Sequence, residues 1–226
     1  MLEQRIQQHF IDGADLKYQA GPVLSKPLAQ AMQAVLACVT SGGKILACGA
    51  GVSGVLAQQF AAHFVGRFER ERPELAALAL LGDLADPASD SNEARERDVF
   101  ARPVRALGQA GDVLLCFSPS GQSAAVLAAV WAAHEREMTV VALTGNAIGT
   151  AAGTPGAAGH PTGKSSQGAH SGTSGGAIGR ALRETDVHVC VPSERAARVH
   201  EVHLLALHCL CDGVDAQLLG EQEASP

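Results

Sequence analysis

The chain has 226 residues, of which 46% are hydrophobic and 18% are charged, a balance typical of one globular domain with a substantial core. Its net charge of -6 argues against a large basic surface for nucleic acid. No apolar run approaches the roughly 20 residues that span a bilayer. The first ten residues, MLEQRIQQHF, lack the layout of a secretory signal. We therefore expect a cytoplasmic protein that binds neither a membrane nor nucleic acid directly.

Residues 1–43 are predicted to form two helices ahead of the main domain. Apolar residues recur at helical spacing over residues 3–20, and Gly21 and Pro22 are expected to end this first helix. A second helix follows in KPLAQAMQAVLACVTSGG and is closed by its Gly-Gly pair. We expect these helices, and the long last helix of the chain, to pack outside the core or against neighbouring subunits.

Residues 44–220 alternate short apolar runs with helical segments. Five runs have the near-continuous apolar character of buried parallel strands: KILACG, LAALALL, DVLLCF, MTVVAL and VHVCV. A last helix runs from SERAAR nearly to the C-terminus, where residues 221–226 form a short tail. This alternation predicts a single α/β domain with a doubly wound parallel five-stranded sheet flanked by helices.

One segment does not follow this alternation. Residues 147–183 are dominated by Gly, Ala, Ser and Thr and show neither helical nor strand periodicity. Such a composition buries too little apolar surface to fold alone, so we expect a disordered surface insertion in preference to a substrate lid.

The first strand leads into GAGVSG, which has the G-x-G-x-x-G spacing of a dinucleotide-binding turn. Such a site also needs an acidic residue at the end of the second strand, roughly 20 residues past the glycines. Glu69 and Glu71 lie at that distance, but they fall in a charged helix end before Pro73. The fingerprint is incomplete, and a nucleotide-binding enzyme stays an alternative interpretation.

The third strand leads into a serine-rich loop, SPSGQS, which spans residues 118–123 and precedes a helix. The hydroxyls of Ser118, Ser120 and Ser123 meet the free N–H groups and the positive dipole end of that helix, which suits a phosphate monoester. A single serine would be an ordinary helix cap. Three serines in six residues favour a phosphate site.

The unit strand–SPSGQS–helix, together with GAGVSG, resembles the ligand loops of sugar isomerase (SIS) domains. The segments FERERP, VRALGQAGDVLL, MTVVALTG, VPSERAARVHEVH and HCLCDGVD narrow the resemblance to the phosphoheptose isomerase group, which includes the DnaA initiator-associating protein DiaA. The resemblance covers nearly the whole chain outside the insertion. It implies a single SIS domain, a sugar phosphate as ligand and a homotetramer with clefts between subunits.

The resemblance assigns phosphate contacts to the three serines of the loop and to Ser53 of the first turn. The matching loop positions also include Gly49, Ala50, Gly51, Gly121 and Gln122. Ala50 replaces the family's usual Asn, and Val52 replaces its usual Gly. A side chain at Val52 is expected to crowd the approach of a ligand to the backbone.

Isomerisation between an aldose and a ketose moves a proton between carbons beside a carbonyl, which requires a base and an acid or a metal. In the family a His and a Glu on the helix after the first turn, with a Gln and a His on the last helix, supply these groups and a zinc site. The matching positions here hold Gln59, His63, His200 and His208. The resemblance thus implies that the family's first His is replaced by Gln59, its Glu by His63 and its Gln by His200, whereas His208 is retained.

Helical spacing allows these residues to work together. Gln59 and His63 share a helix face, while His200 and His208 lie about 80° apart around an ideal helix. Three imidazoles and an amide oxygen suit zinc, so these four residues are the predicted metal ligands. His63 and His208 are the predicted catalytic residues, because an imidazole titrates near neutrality.

Two functions fit these residues. Loss of the Glu favours our main prediction, a sugar-phosphate-binding regulator that acts, like DiaA, through DnaA in replication initiation. The retained His208 and the added histidines favour the alternative, a phosphoheptose isomerase with a rearranged metal site. That enzyme would convert sedoheptulose 7-phosphate to D-glycero-D-manno-heptose 7-phosphate.

Overall fold

The computed structural model describes residues 1–81, 97–146 and 175–220. The helices in these ranges are α1 (Leu2–Thr40), α2 (Val52–Val65), α3 (Ala101–Leu107), α4 (Ala124–Glu135), α5 (Gly176–Ala181) and α6 (Ala196–Leu219). The strands are β1 (Ile45–Gly49), β2 (Ala77–Ala79), β3 (Val113–Ser118), β4 (Thr139–Gly145) and β5 (Val187–Val191).

The five strands form one parallel sheet in the order β2-β1-β3-β4-β5. This confirms the predicted α/β fold. Because the strand order reverses between β1 and β3, a crevice opens at the carboxyl ends of these two strands, and such switch points are where doubly wound sheets bind ligands. The glycine turn and the serine-rich loop both follow the strands that form this crevice.

Alternate residues of the central strands face two separate hydrophobic layers. Ile45 and Ala47 of β1 face the layer built with α1, α2 and α6, whereas Leu46 and Cys48 face the layer built with α3, α4 and α5. Every residue of β1 and β3 is buried. Burial on both faces explains why these strands read as continuous apolar runs in the sequence.

The N-terminal segment forms one helix, and the predicted break at Gly21 and Pro22 is wrong. α1 continues unbroken through Pro22 and Pro27. It packs along α6, and Ala20 and Leu24 on either side of the expected break are almost fully buried. This packing outweighs the local cost of a proline within a helix. α6 also differs from our expectation, since its buried residues belong to the core.

Within the described ranges, α1 and α6 are long and apolar enough to cross a membrane by length and composition alone. The apolar window of α6 is 44% buried, as in a core helix, whereas that of α1 is 22% buried. α6 buries polar as well as apolar side chains in the core, including His203 and Asp215, and α1 packs against it.

The predicted insertion over residues 147–183 lies outside the described residues up to position 174, as does the tail of residues 221–226. The described chain resumes at Gly175. α5 begins at Gly176, and its Ile178 is fully buried in the layer that contains α3 and α4. The prediction of disorder is therefore wrong for residues 175–183, because one buried isoleucine anchors a segment whose average composition is polar and small.

Candidate active site

The glycine turn after β1 places Ser53 at the switch point. Gly51 adopts a φ of +58°, which favours glycine. Gly49 has no room for a side chain, because a Cβ there would lie 2.6 Å from the carbonyl oxygen of Ser53. This close packing brings the Ser53 side chain, only 2% exposed, to the start of α2. Val52, which was expected to crowd a ligand, is 64% exposed at the same helix end.

The serine-rich loop places its three hydroxyls around the start of α4. Ser118 ends β3 and is buried. Ser120 Oγ accepts a hydrogen bond from the Gln122 amide at 3.2 Å, and Ser123 caps α4 by accepting from the Val126 amide at 3.4 Å. The loop thus joins serine hydroxyls to the amino end of a twelve-residue helix, an arrangement that suits an anionic ligand.

Three of the four predicted metal ligands meet where α2 lies beside α6. The side-chain Nε2 of Gln59 is 3.4 Å from His63 Nε2 and 3.3 Å from His208 Nε2. The Nδ1 of His63 faces the Arg67 carbonyl at 3.4 Å, which favours the tautomer whose Nε2 is a free acceptor. The site therefore presents two imidazole nitrogens on either side of one amide group.

Two separations in this group match the distance between neighbouring ligands of a zinc ion. In a tetrahedral site with zinc bonds of about 2.0–2.1 Å, neighbouring ligand atoms lie about 3.3–3.4 Å apart. The two separations measured from the Gln59 amide have this length. The amide nitrogen and oxygen of a glutamine can exchange places by a flip, so the oxygen is able to face both histidines.

The fourth predicted ligand, His200, pairs with the glycine turn instead. Its Nε2 lies 3.1 Å from Ser53 Oγ. Burial lowers the pKa of His200, so its ring is neutral near pH 7. In the part of the chain that the structure describes, no three His, Cys, Asp or Glu side chains cluster as metal ligands. The candidate metal group consequently depends on the amide of Gln59.

The buried pair Arg72 and Asp215 is a feature of the site that sequence reasoning missed. Arg72 Nε donates to Asp215 Oδ1 at 2.6 Å, and both side chains are at most 2% exposed. The same guanidinium donates to the carbonyls of His63 at 2.8 Å and Phe64 at 2.9 Å. Arg72 therefore ties the last turn of α2 to α6 and sets the spacing between His63 and His208.

His203, also on α6, fixes the end of β4. Its Nε2 donates to the Thr144 carbonyl at 3.0 Å, while its buried Nδ1 has no hydrogen-bond partner. Burial is the main cause that lowers the pKa of His203 to about 4. The folded protein thus holds this ring neutral, whereas an unfolded chain binds a proton below pH 6.5.

This difference predicts acid sensitivity. The stabilising contribution is fully present above pH 6.5 and is lost progressively as the pH falls toward 4. At pH 5 the free energy of unfolding should be lower by about 2 kcal/mol on account of His203 alone. Urea unfolding of His203→Gln, which keeps a donor for the Thr144 carbonyl, should show a flatter pH profile than the wild type. Identical profiles from pH 5 to pH 7 would contradict this assignment.

A doubly wound sheet with a glycine turn and a serine-capped helix at its switch point is the architecture of an α/β protein that binds phosphorylated ligands. The profile of the SIS domain matches residues 11–145. The chain belongs to the SIS-domain family, and within it to the phosphoheptose isomerase group.

Relatives across the whole chain carry the same name. A phosphoheptose isomerase of Methylibium petroleiphilum is 55% identical over 99% of this chain and 98% of its own. One from Azoarcus sp. is 47% identical over 98% of this chain and 99% of its own. The structure of the phosphoheptose isomerase from Neisseria gonorrhoeae, 39% identical, superposes with a TM-score of 0.77 over 96% of this chain and 100% of its own. These comparisons favour an isomerase over the dinucleotide-binding and replication-regulatory interpretations.

Proposed function

We propose that this protein is a phosphoheptose isomerase that interconverts sedoheptulose 7-phosphate and the corresponding aldose, D-glycero-D-manno-heptose 7-phosphate. One observation carries the proposal: the Gln59 amide lies within 3.4 Å of both His63 Nε2 and His208 Nε2. The two imidazoles lie on α2 and α6. The same helices carry Ser53 and its partner His200, which line the crevice proposed to bind the phosphate. Cytoplasmic location and a homotetrameric assembly are part of the same proposal.

The serine side of the crevice would hold the phosphate of the substrate. Ser118, Ser120 and Ser123 would donate their hydroxyls, and the amino end of α4 would add its free N–H groups. Ser53, oriented by neutral His200, would complete the set from the opposite loop. With the phosphate fixed there, the carbonyl end of the sugar would extend toward the histidines.

The histidine side would move the proton. His63 would take a proton at Nε2 from C1 of the ketose, beside the carbonyl carbon C2, and His208 would donate a proton to the carbonyl oxygen. The resulting enediol takes a proton at C2 and loses one from the oxygen on C1, which yields the aldose. An imidazole suits both steps because it exchanges protons near neutral pH.

Gln59 and His208 would hold the proposed zinc ion, which when bound would polarise the carbonyl of the substrate as a Lewis acid in place of the proton from His208. His63 Nε2 would then keep its lone pair for the C1 proton, and His200 stays paired with Ser53. At the position of the family's Glu, His63 supplies an imidazole nitrogen in place of a carboxylate oxygen.

A second candidate function is binding of the same sugar phosphate without turnover. The observation that favours it is the same replacement of Glu by His63, which removes the carboxylate base. Regulation through DnaA belongs to this second candidate and stays a prediction.

Incubation of the purified protein with sedoheptulose 7-phosphate, followed by NMR, separates the two candidates. One sample carries added zinc and a matched one carries a chelator. The isomerase proposal predicts the aldose product in the zinc sample and roughly one zinc per subunit in the purified protein. Binding of the sugar phosphate by calorimetry, with no product in either sample, would instead establish the binding function.

Replacing Ser120 and Ser123 together by Ala should weaken sugar-phosphate binding by about a hundredfold or more. Each hydrogen bond to a charged group contributes about 1.5–3 kcal/mol, and two are lost. Calorimetry with sedoheptulose 7-phosphate measures the change. Ser41→Ala, an exposed serine beyond the end of α1, is the matched control and should bind like the wild type. Unchanged affinity in the double variant would place the phosphate elsewhere.

A further inference from the structure

Thr144 and His188 form a second polar pair beside the serine-rich loop, and neither has a role in the proton transfer proposed above. Thr144 lies near the end of β4, in register with Ser118 of β3, and is fully buried. His188 extends from the neighbouring strand β5. Its Nε2 lies 2.8 Å from Thr144 Oγ1, a short hydrogen bond.

Thr144 is held at two points. Its carbonyl accepts from His203 Nε2 at 3.0 Å, on the side of α6, while its hydroxyl bonds to His188 on the side of α5. Burial lowers the pKa of His188, so the ring is neutral in the range where the enzyme would work. The Thr144–His188 pair is therefore a fixed, uncharged platform at the carboxyl end of the sheet.

The backbone of Gly175 rests on this platform. A Cβ at Gly175 would lie 2.5 Å from His188 Nε2 and 3.0 Å from Thr144 Oγ1, so no larger residue fits there without movement. Gly175 also has a φ of +127°, a conformation that favours glycine. The position of the chain just before α5 is thus set by the His188 ring.

Gly175 in turn supports the serine-rich loop. A Cβ at Gly121 would overlap the carbonyl of Gly175, so the two backbones are in close contact. The Gly121 carbonyl accepts from the Ile178 amide at 2.9 Å, and the Gln122 side chain accepts from the Ala177 amide at 3.4 Å. A continuous series of contacts therefore leads from His188 through Gly175 to the middle of the serine-rich loop.

We propose that His188 is a positioning residue for phosphate recognition: through Thr144 and Gly175 it holds the serine-rich loop in the conformation that receives the phosphate of the substrate. This inference rests on the proposed function. Removal of the ring leaves a gap beneath Gly175, and the loop loses its support without losing a serine. Phosphate affinity falls, while proton transfer at His63 and His208 continues once the substrate is bound.

The test compares His188→Ala, His188→Gln and Thr144→Val with the wild type. Calorimetry gives the Kd for inorganic phosphate, and kinetics with sedoheptulose 7-phosphate give KM and kcat separately. His188→Ala should raise both the Kd and KM about tenfold, the equivalent of one net hydrogen bond, with kcat changed less than about twofold. His188→Gln, which is able to bond to Thr144, should recover part of the affinity.

His134→Ala is the matched control. His134 is another buried histidine, at the end of α4, and it bonds at 2.7 Å to Asp186, which lies just before β5 at the amino end of the strands. Its loss should lower the melting temperature but leave phosphate affinity unchanged. Thr144→Val nearly preserves side-chain volume, so it reports on the platform even where His188→Ala folds poorly, and it should also weaken phosphate binding.

The outcomes separate the inference from the proposed function. Wild-type protein that binds phosphate, with unchanged affinity in His188→Ala and Thr144→Val, would overturn the role of His188 alone. Equal losses of affinity in His188→Ala and His134→Ala would also overturn it, since a general loss of stability would then explain both. Wild-type protein that binds neither inorganic phosphate nor the sugar phosphate would overturn the proposed function and this inference with it.

Discussion

Replacing either His63 or His208 by Ala should lower kcat for sedoheptulose 7-phosphate by about 10²–10⁴-fold, the usual contribution of one general acid or base. Each variant removes one of the two Nε2 atoms that face the Gln59 amide. Because neither residue contacts the serine-rich loop, the affinity for inorganic phosphate should change little. Progress curves by NMR measure the first quantity, and calorimetry measures the second.

Gln58→Ala is the matched control for these variants, since Gln58 lies on the same helix with an exposed side chain. Its kcat should equal that of the wild type. His208→Ala should also remove bound zinc, which elemental analysis detects, whereas Gln58→Ala should retain it. Wild-type turnover by both histidine variants would show that proton transfer uses other groups.

Replacing Arg72 by Ala should lower the free energy of unfolding by about 3–5 kcal/mol, as expected when one partner of a buried ion pair is removed. The change leaves Asp215 charged and 2% exposed, and it frees the carbonyls at the end of α2. Urea unfolding followed by circular dichroism measures the loss. Activity should also fall, because His63 would no longer be held at a fixed distance from His208.

The pair Arg105 and Glu135 offers a surface control for this prediction. Its charges lie 2.9 Å apart but are 44% and 57% exposed, so Arg105→Ala should cost less than about 1 kcal/mol. The double variant Arg72→Met with Asp215→Leu should recover much of the stability lost in Arg72→Ala, since no unpaired charge remains. Equal destabilisation by Arg72→Ala and Arg105→Ala would contradict the importance of the buried pair.

The sheet could be predicted from sequence because its strands are buried on both faces. Each strand is therefore an apolar run that local pattern alone identifies. The helix break at Gly21 and Pro22 could not be judged in the same way, since α1 continues there only because α6 packs against it. Ile178 made the same difference for α5, where a single buried side chain outweighs a polar local composition.

The residues of the site also fall into two groups: those that a local pattern in the sequence identifies and those that it does not. Ser118, Ser120 and Ser123 are neighbours in the chain, so the turn itself shows that they converge. Contacts between distant segments leave no local pattern: Arg72 and Asp215 are 143 residues apart, and Thr144 and His188 are 44 residues apart.

The prediction for His200 shows the limit of arguments from helix geometry. Its angular position relative to His208 suits a shared ligand, but that argument does not include Ser53 on the neighbouring helix. Only the packing of α2 against α6 shows that His200 Nε2 lies 3.1 Å from Ser53 Oγ.

Deuterium incorporation tests the central claim most directly. Wild-type protein with added zinc is incubated with sedoheptulose 7-phosphate in D₂O, and the sugar is followed by NMR. A base that removes the C1 proton exchanges it with solvent, so the account predicts deuterium at C1 of the ketose and at C2 of the aldose product. His63→Ala, the negative control, should show neither signal on the same timescale. A wild-type sample that binds the sugar phosphate yet leaves C1 fully protonated and forms no aldose would contradict the account.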